Sequence, residues 1–401
     1  MARYGGKIKF LDLLLLLGGL AILPVVKAWE QHVLSESELS RIVKLAVEQP
    51  VLVAFVKPDE PASAALEAEW LSAVSSAAPD QTLLSFDCSA SPTTCALQKD
   101  MPSYPSIWLL EADKPVIQYK GAKRADAFLR FLERKSRPAV VELKHDQEEE
   151  LKKFKAGDEV VFVALLSEDD NREAREKFED VARRFWGEFS FGVIVLDGSG
   201  EVAERNKVVA YKMVDGDVVE RKGGIGGGVD EFEGWVEEVS RGVIEELTVL
   251  NRERLVRRGW PMVYLFGSTE AERQKLRKTL YKFARDYYDT LTTVVVNPYD
   301  FPDLMSSLGL DPTVFPAGAV HQLSEDRIYP YPKGQPLTPG AIQNWGMDIY
   351  NGRIKPWTRP GAAPASNEDV KPTTRKAATR KINMVNNIPG VKIKIAGRDE
   401  L

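Results

Sequence analysis

Three short apolar runs, set at near-equal intervals along the chain, constrain it more than any other feature: Val51–Val56, Val160–Leu165 and Met262–Phe266. Each is bounded by polar residues, and each has the length and continuity of a parallel strand covered on both faces. A helical stretch follows each of them, for example at 172–185 and 270–287; in the latter, Leu276, Leu280, Phe283 and Tyr287 recur at three- and four-residue spacing. A second strand comes next in every unit, at Thr82–Phe86, Phe191–Leu196 and Thr292–Val296. A hairpin follows: 106–110 with 115–119, a strand over Val208–Val214 turning at Asp215-Gly216, and a strand over Ala317–Leu323 turning at 324–326. A final amphipathic helix closes each unit, around Phe128 and Leu132, Phe232 and Trp235, and Ile342 and Trp345. Each unit is thus a β-α-β half joined to a β-β-α half. The spacing places the units at 29–137, 138–247 and 248–357 of a 401-residue chain.

The two ends carry a different message. Arg3, Lys7 and Lys9 precede an apolar stretch from Phe10 to Leu23, and Val26-Lys27-Ala28 offers a cleavage site, so 1–28 reads as a secretory signal peptide. That stretch is shorter than the ~20 residues a spanning helix needs, and no membrane span is expected after cleavage. The last four residues, Arg398, Asp399, Glu400 and Leu401, resemble a Lys-Asp-Glu-Leu retrieval signal, an address that a receptor reads. Together the ends point to the lumen of the endoplasmic reticulum. Residues 358–401, rich in Pro, Ala, Asn and basic side chains, read as a disordered basic tail, in which only Val391–Ile395 alternates as a strand does. A net charge of −5 argues against nucleic-acid binding by bulk electrostatics.

Local motifs give the chain a family resemblance over nearly all of 30–357. Phe86-Asp87-Cys88, Cys95 and Tyr104-Pro105-Ser106 are similar to the "Asp-Cys…Cys…Tyr-Pro-Thr" segment of the protein disulfide-isomerase family. Tyr119-Lys120-Gly121 is similar to that family's "Tyr-x-Gly-x-Arg" ending, Thr313–Ala317 to its proline segment, and Asn351–Pro356 to its "Gly-Lys-Ile-Lys-Pro" exit. The resemblance implies an α/β fold of three tandem thioredoxin-like domains. It also implies a structural disulfide between Cys88 and Cys95 and cis peptides before Pro105 and Pro316.

The departures bear on function. Where the family carries its Cys-Gly-His-Cys pair, this chain aligns Glu60 and Ser63. Thiol–disulfide exchange needs one thiolate to attack sulfur and a second thiol to release the mixed disulfide; a carboxylate and a hydroxyl do neither. The family's buried glutamate aligns with Ala54, and its arginine aligns with Lys123, beside Arg124. In the family the third domain binds clients, which nominates Val263, Met305, Leu308 and Leu310 as lining a client cleft. As a plain reading, apolar residues at such spacing are core. The three histidines lack metal-ligand spacing, and Gly223–Gly228 fits neither phosphate-loop pattern and reads as a flexible surface loop. No metal or cofactor is expected.

The sequence therefore leads to a non-catalytic lumenal member of this family. Its expected partners are unfolded or partner secretory proteins and the retrieval receptor. The alternatives are a weak isomerase working through Cys88–Cys95 and a structural subunit of a lumenal complex.

Overall fold

The computed structural model describes residues 49–90, 95, 103–111, 114–144, 147–167, 172–196, 207–221, 225 and 228–358, together with the backbone of 391–394. The leader, Arg398–Leu401, most of the tail and most of the glycine-rich loop lie outside the described residues.

The first domain is built on β1 (Val51–Val56), every residue of which is buried. It lies between parallel β2 (Thr82–Asp87) and antiparallel β3 (Ser106–Leu110), with β4 (Ile117–Gln118) at the edge. Alternation along β1 serves two cores, as a strand's two-residue period requires. Leu52, Ala54 and Val56 meet Trp70 and Phe128 on α1 (Pro61–Ser76) and α2 (Ala125–Lys135), whereas Val51, Val53 and Phe55 meet Phe86, Cys88 and Cys95. Pro61 starts α1, since its missing N–H is one the first turn would leave unpaired in any case.

The second domain runs β5 (Val140–Leu143), α3 (Glu148–Ala156), β6 (Val160–Ser167), α4 (Arg172–Phe185), β7 (Ser190–Leu196), β8 (Lys207–Lys212), β9 (Asp217–Arg221) and α5 (Val229–Val239). Its strands are ordered β9-β8-β6-β7-β5. Phe162, Phe178, Phe191, Phe232 and Trp235 fill the core between sheet and helices. Ile225, within the glycine-rich loop, is also buried there, so that loop contributes to the core at this point.

The third domain repeats the order: β10 (Glu245–Leu247), α6 (Arg252–Arg257), β11 (Met262–Phe266), α7 (Glu270–Asp286), β12 (Thr292–Val296), α8 (Leu304–Ser307), β13 (Ala317–Gln322), β14 (Arg327–Pro330) and α9 (Pro339–Tyr350), with the sheet running β10-β12-β11-β13-β14. A capping box starts α7: Thr269 Oγ1 accepts the Glu272 N–H at 3.2 Å, and the Glu272 carboxylate accepts the Thr269 N–H at 3.4 Å. The strand Val391–Lys394 (β15) pairs antiparallel with β9 as a sixth strand of the second sheet.

Two boundaries differ from the sequence reading. Residues 245–247 pair with β12, so the third unit starts before 248; a three-residue strand carrying two glutamates has no apolar run to announce it. The second hairpin strand ends at Lys212 and not at Val214, because Lys212 pairs with Asp217 across the turn 213–216. There the Asp215 carboxylate accepts the Val243 N–H at 3.0 Å, and Gly216 takes a left-handed φ of 72°.

Beyond α9 the chain turns back over its own domain. The Trp357 N–H donates to the Ile328 carbonyl at 2.7 Å, and its indole lies on Gly309. Gly309 has φ of 72°, and a Cβ built there would stand 2.6 Å from Trp357 Cδ2. Gly309→Ala is expected to cost about 1–2 kcal/mol from the left-handed backbone alone and to push the indole off its seat. Denaturant unfolding and a red shift of indole emission, against a Trp357→Phe background, check this.

Candidate functional site

At the position of the family's cysteine pair there is no thiol. Glu60 is the N-cap of α1, and its side chain meets Lys57 Nζ at 3.4 Å without capping the helix. Lys57 in turn lies 4.4 Å over the Tyr104 ring. Ser63 is fully buried, and its Oγ accepts the Lys57 N–H at 3.2 Å. Ala54 is part of the core beneath. Cys88 and Cys95, the chain's two cysteines, are joined in a disulfide with both side chains buried, and they do not form a Cys-x-x-Cys motif.

The peptides Tyr104–Pro105 and Phe315–Pro316 are both cis. Tyr104, Pro105 and Phe315 line one cleft of about 660 Å³ between the first and third domains. The first domain adds Glu60, Pro61 and the segment 118–121; the third adds Val249, Tyr299 and Met305. The cleft sits where loops leave the carboxyl ends of the parallel strands, the usual ligand position in open α/β sheets.

Of the residues nominated for client binding, Met305 lies behind this cleft, its side chain buried in the third-domain core. Val263 does not: it faces the opposite side of β11, packed with Leu276 and Leu280. Leu308 is buried in the core and Leu310 packs against it, beside the Gly309 that Trp357 covers. Sequence reasoning passed over Lys120, Val249 and Tyr299. The available signal for Tyr299 was its place in the loop just after β12, matching the place of Cys88 after β2.

Charged side chains join the domains around the cleft. Lys123, at the family's arginine position, pairs with Asp300 of the third domain at 2.6 Å. Burial raises the Asp300 carboxyl and Lys123 opposes that rise. Arg124 reaches both other domains: it pairs with Glu159 of the second and lies 3.4 Å from Glu246 of the third. Burial alone would raise Glu159, but Arg124 and Arg130 hold it down at about 2. The ring closes where the Leu250 N–H, between β10 and α6 of the third domain, donates to the Lys120 carbonyl at 3.2 Å.

At the joint of the first and second domains, Arg134 pairs with buried Asp158 at 2.8 Å, and the Trp186 Nε1–H donates to the Arg134 carbonyl at 2.6 Å. Lys135 Nζ lies 4.0 Å over the Trp186 ring, and this burial lowers its pKa from 10.5 to about 8. The unfolded chain then holds the extra proton between pH 8 and 10.5, so stability is expected to rise with pH across that window. Below pH 8 the cost of burying the charge is fully present. Urea midpoints through this range should climb for the native chain and climb less for Lys135→Met.

Among the described residues no cluster of three or more His, Cys, Asp or Glu could hold a metal, and no helix is long and apolar enough to cross a membrane. Fold and site together define a thioredoxin-like protein without an exchangeable dithiol. Residues 167–348 match the thioredoxin-like domain family. The protein disulfide-isomerase of Aspergillus niger is 24% identical over 254 residues, covering 62% of this chain and 48% of that protein. That of Humicola insolens is 26% identical over 258 residues, covering 63% and 49%. The chain thus spans about half the length of the curated relatives it matches, and it has three thioredoxin-like domains with two cysteines that form a disulfide outside any Cys-x-x-Cys motif. Among solved structures, human ERp44 form II is 15% identical with a TM-score of 0.37, over 84% of this chain and 95% of that one. The bb fragment of ERp72 is 16% identical with a TM-score of 0.41, over 55% and 100%.

Proposed function

We propose that this chain is a non-catalytic protein of the endoplasmic reticulum lumen that holds unfolded or partner secretory proteins without exchanging disulfides with them. The observation that carries the reading is the cleft, which gathers the altered motif face and both cis-prolyl loops and offers no thiol. Its walls present proline rings and aromatic rings, so affinity would come from apolar burial. Main-chain hydrogen bonds to an extended client would add to it.

The test is a pull-down of the tagged chain from lumenal extract with thiols blocked, run on reducing and non-reducing gels. Secretory proteins released by mild denaturant, and identical on both gels, support the proposal. Partners freed only by reductant would mean mixed disulfides through Cys88 or Cys95 and would overturn it.

A further inference from the structure

We propose that the cleft between the first and third domains selects extended apolar segments flanked by an acidic residue, and that Lys120 reads the acid. This rests on the reading of the chain as a binder of unfolded segments and names the class it prefers. A volume of about 660 Å³ is in the range of pockets that enclose a drug-sized ligand, so it takes a few residues of peptide. Tyr104, Tyr299 and Phe315 give it aromatic walls, and at its edge Val249 is 55% exposed.

Among the described residues four charged side chains border this space, and three already have opposite charges. Glu60 has Lys57 at 3.4 Å, while Lys123 and Asp300 hold each other at 2.6 Å. Lys120 is exposed, and among the described residues no carboxylate lies within 4 Å of it. Its backbone is pinned by the Leu250 N–H, next in the chain to Val249, so the free ammonium and the exposed valine stand on adjoining strands of chain. An apolar segment lying on Val249 therefore brings its flanking residue within reach of an uncompensated positive charge. A carboxylate there is favoured and an ammonium is repelled.

An exposed ion pair is worth little, so the expected discrimination is about threefold at low salt. It should vanish near 1 M salt, where screening acts over about 3 Å. The test uses the full chain and three fluorescent peptides that share one apolar core and carry a Glu, Gln or Lys flank, read by anisotropy. Each is also tested with a photo-crosslinker in place of Val249. The proposal expects the order Glu, Gln, Lys, reversal of that order in Lys120→Glu, no reversal in the control Lys152→Glu, and crosslinks at 249. Equal binding of the three peptides, or a Lys120→Glu effect no larger than the control's, would overturn the acid preference. Binding without crosslinks at 249 would overturn the cleft as the site. Either result leaves client binding itself standing, whereas failure of all peptides and of the pull-down would remove both.

Discussion

Replacing Arg124 with methionine is expected to destabilise the chain by about 3–5 kcal/mol, the usual result of removing one partner from a buried ionic group. Methionine keeps the length of the side chain, so lost packing contributes little. What remains is Glu246, whose side chain is 5% exposed, with a charge that Arg273 at 3.7 Å and Arg277 at 2.9 Å only partly match. Glu159 loses its strongest partner at the same time. Because Arg124 touches all three domains, the loss should also uncouple them: probes in the first and third domains, coincident in the native chain, should report separate urea transitions. The double variant Arg124→Met/Glu246→Gln, set against the two single variants, measures the coupling between these groups, which share a network and are expected not to add. The acid limb should change as well. Glu159 titrates near 2 in the folded chain against 4.5 ordinarily, so its contribution is full above pH 4.5 and is lost as pH falls towards 2. In Arg124→Met that slope should flatten. An unchanged midpoint would mean that the hub carries no net stability.

Cys88→Ser/Cys95→Ser is the second large effect. Freeing so short a loop restores chain entropy to the unfolded state worth about 2.5 kcal/mol on the loop-closure model. Both cysteines are almost fully buried against Phe55 and Phe86, so two hydroxyls would enter an apolar cluster and add to the cost. The loss should fall on the first domain, and thermal unfolding followed by Trp70, buried beneath β1, should detect it. Client capture in the pull-down should persist wherever the domain is still folded, because the sulfurs do no chemistry there. Loss of capture from a folded variant would make the disulfide part of the site.

Much of the fold was legible because its signals are local. A continuous apolar run such as Val160–Leu165 has few alternatives to a buried strand, and Glu270–Asp286 carries its helical period in one stretch, with Leu276, Leu280 and Phe283 on the buried side. The altered motif was legible for the same reason, since Glu60 and Ser63 sit at a fixed distance from β1. What escaped was whatever depends on two distant segments meeting. Arg124, Glu159 and Glu246 share no spacing, and nothing in a sequence says that three such charges converge. Val263 shows the other limit. Within a run apolar at every position, a two-residue period leaves undetermined which side is which, and Val263 turned out to face away from Met305.

The Lys120–Leu250 hydrogen bond also sets an order of events during synthesis. Leu250 emerges roughly 130 residues after Lys120, about 6–26 s later at ordinary translation rates. Once α2 has emerged, and for most of that interval, the first domain has its own core residues complete but only one wall of the cleft. The aromatic and proline surface that later closes against Tyr299 and Phe315 is then open to passing polypeptides. Until Leu250 arrives, that surface is exposed apolar area, which the later closure against the third domain removes from water.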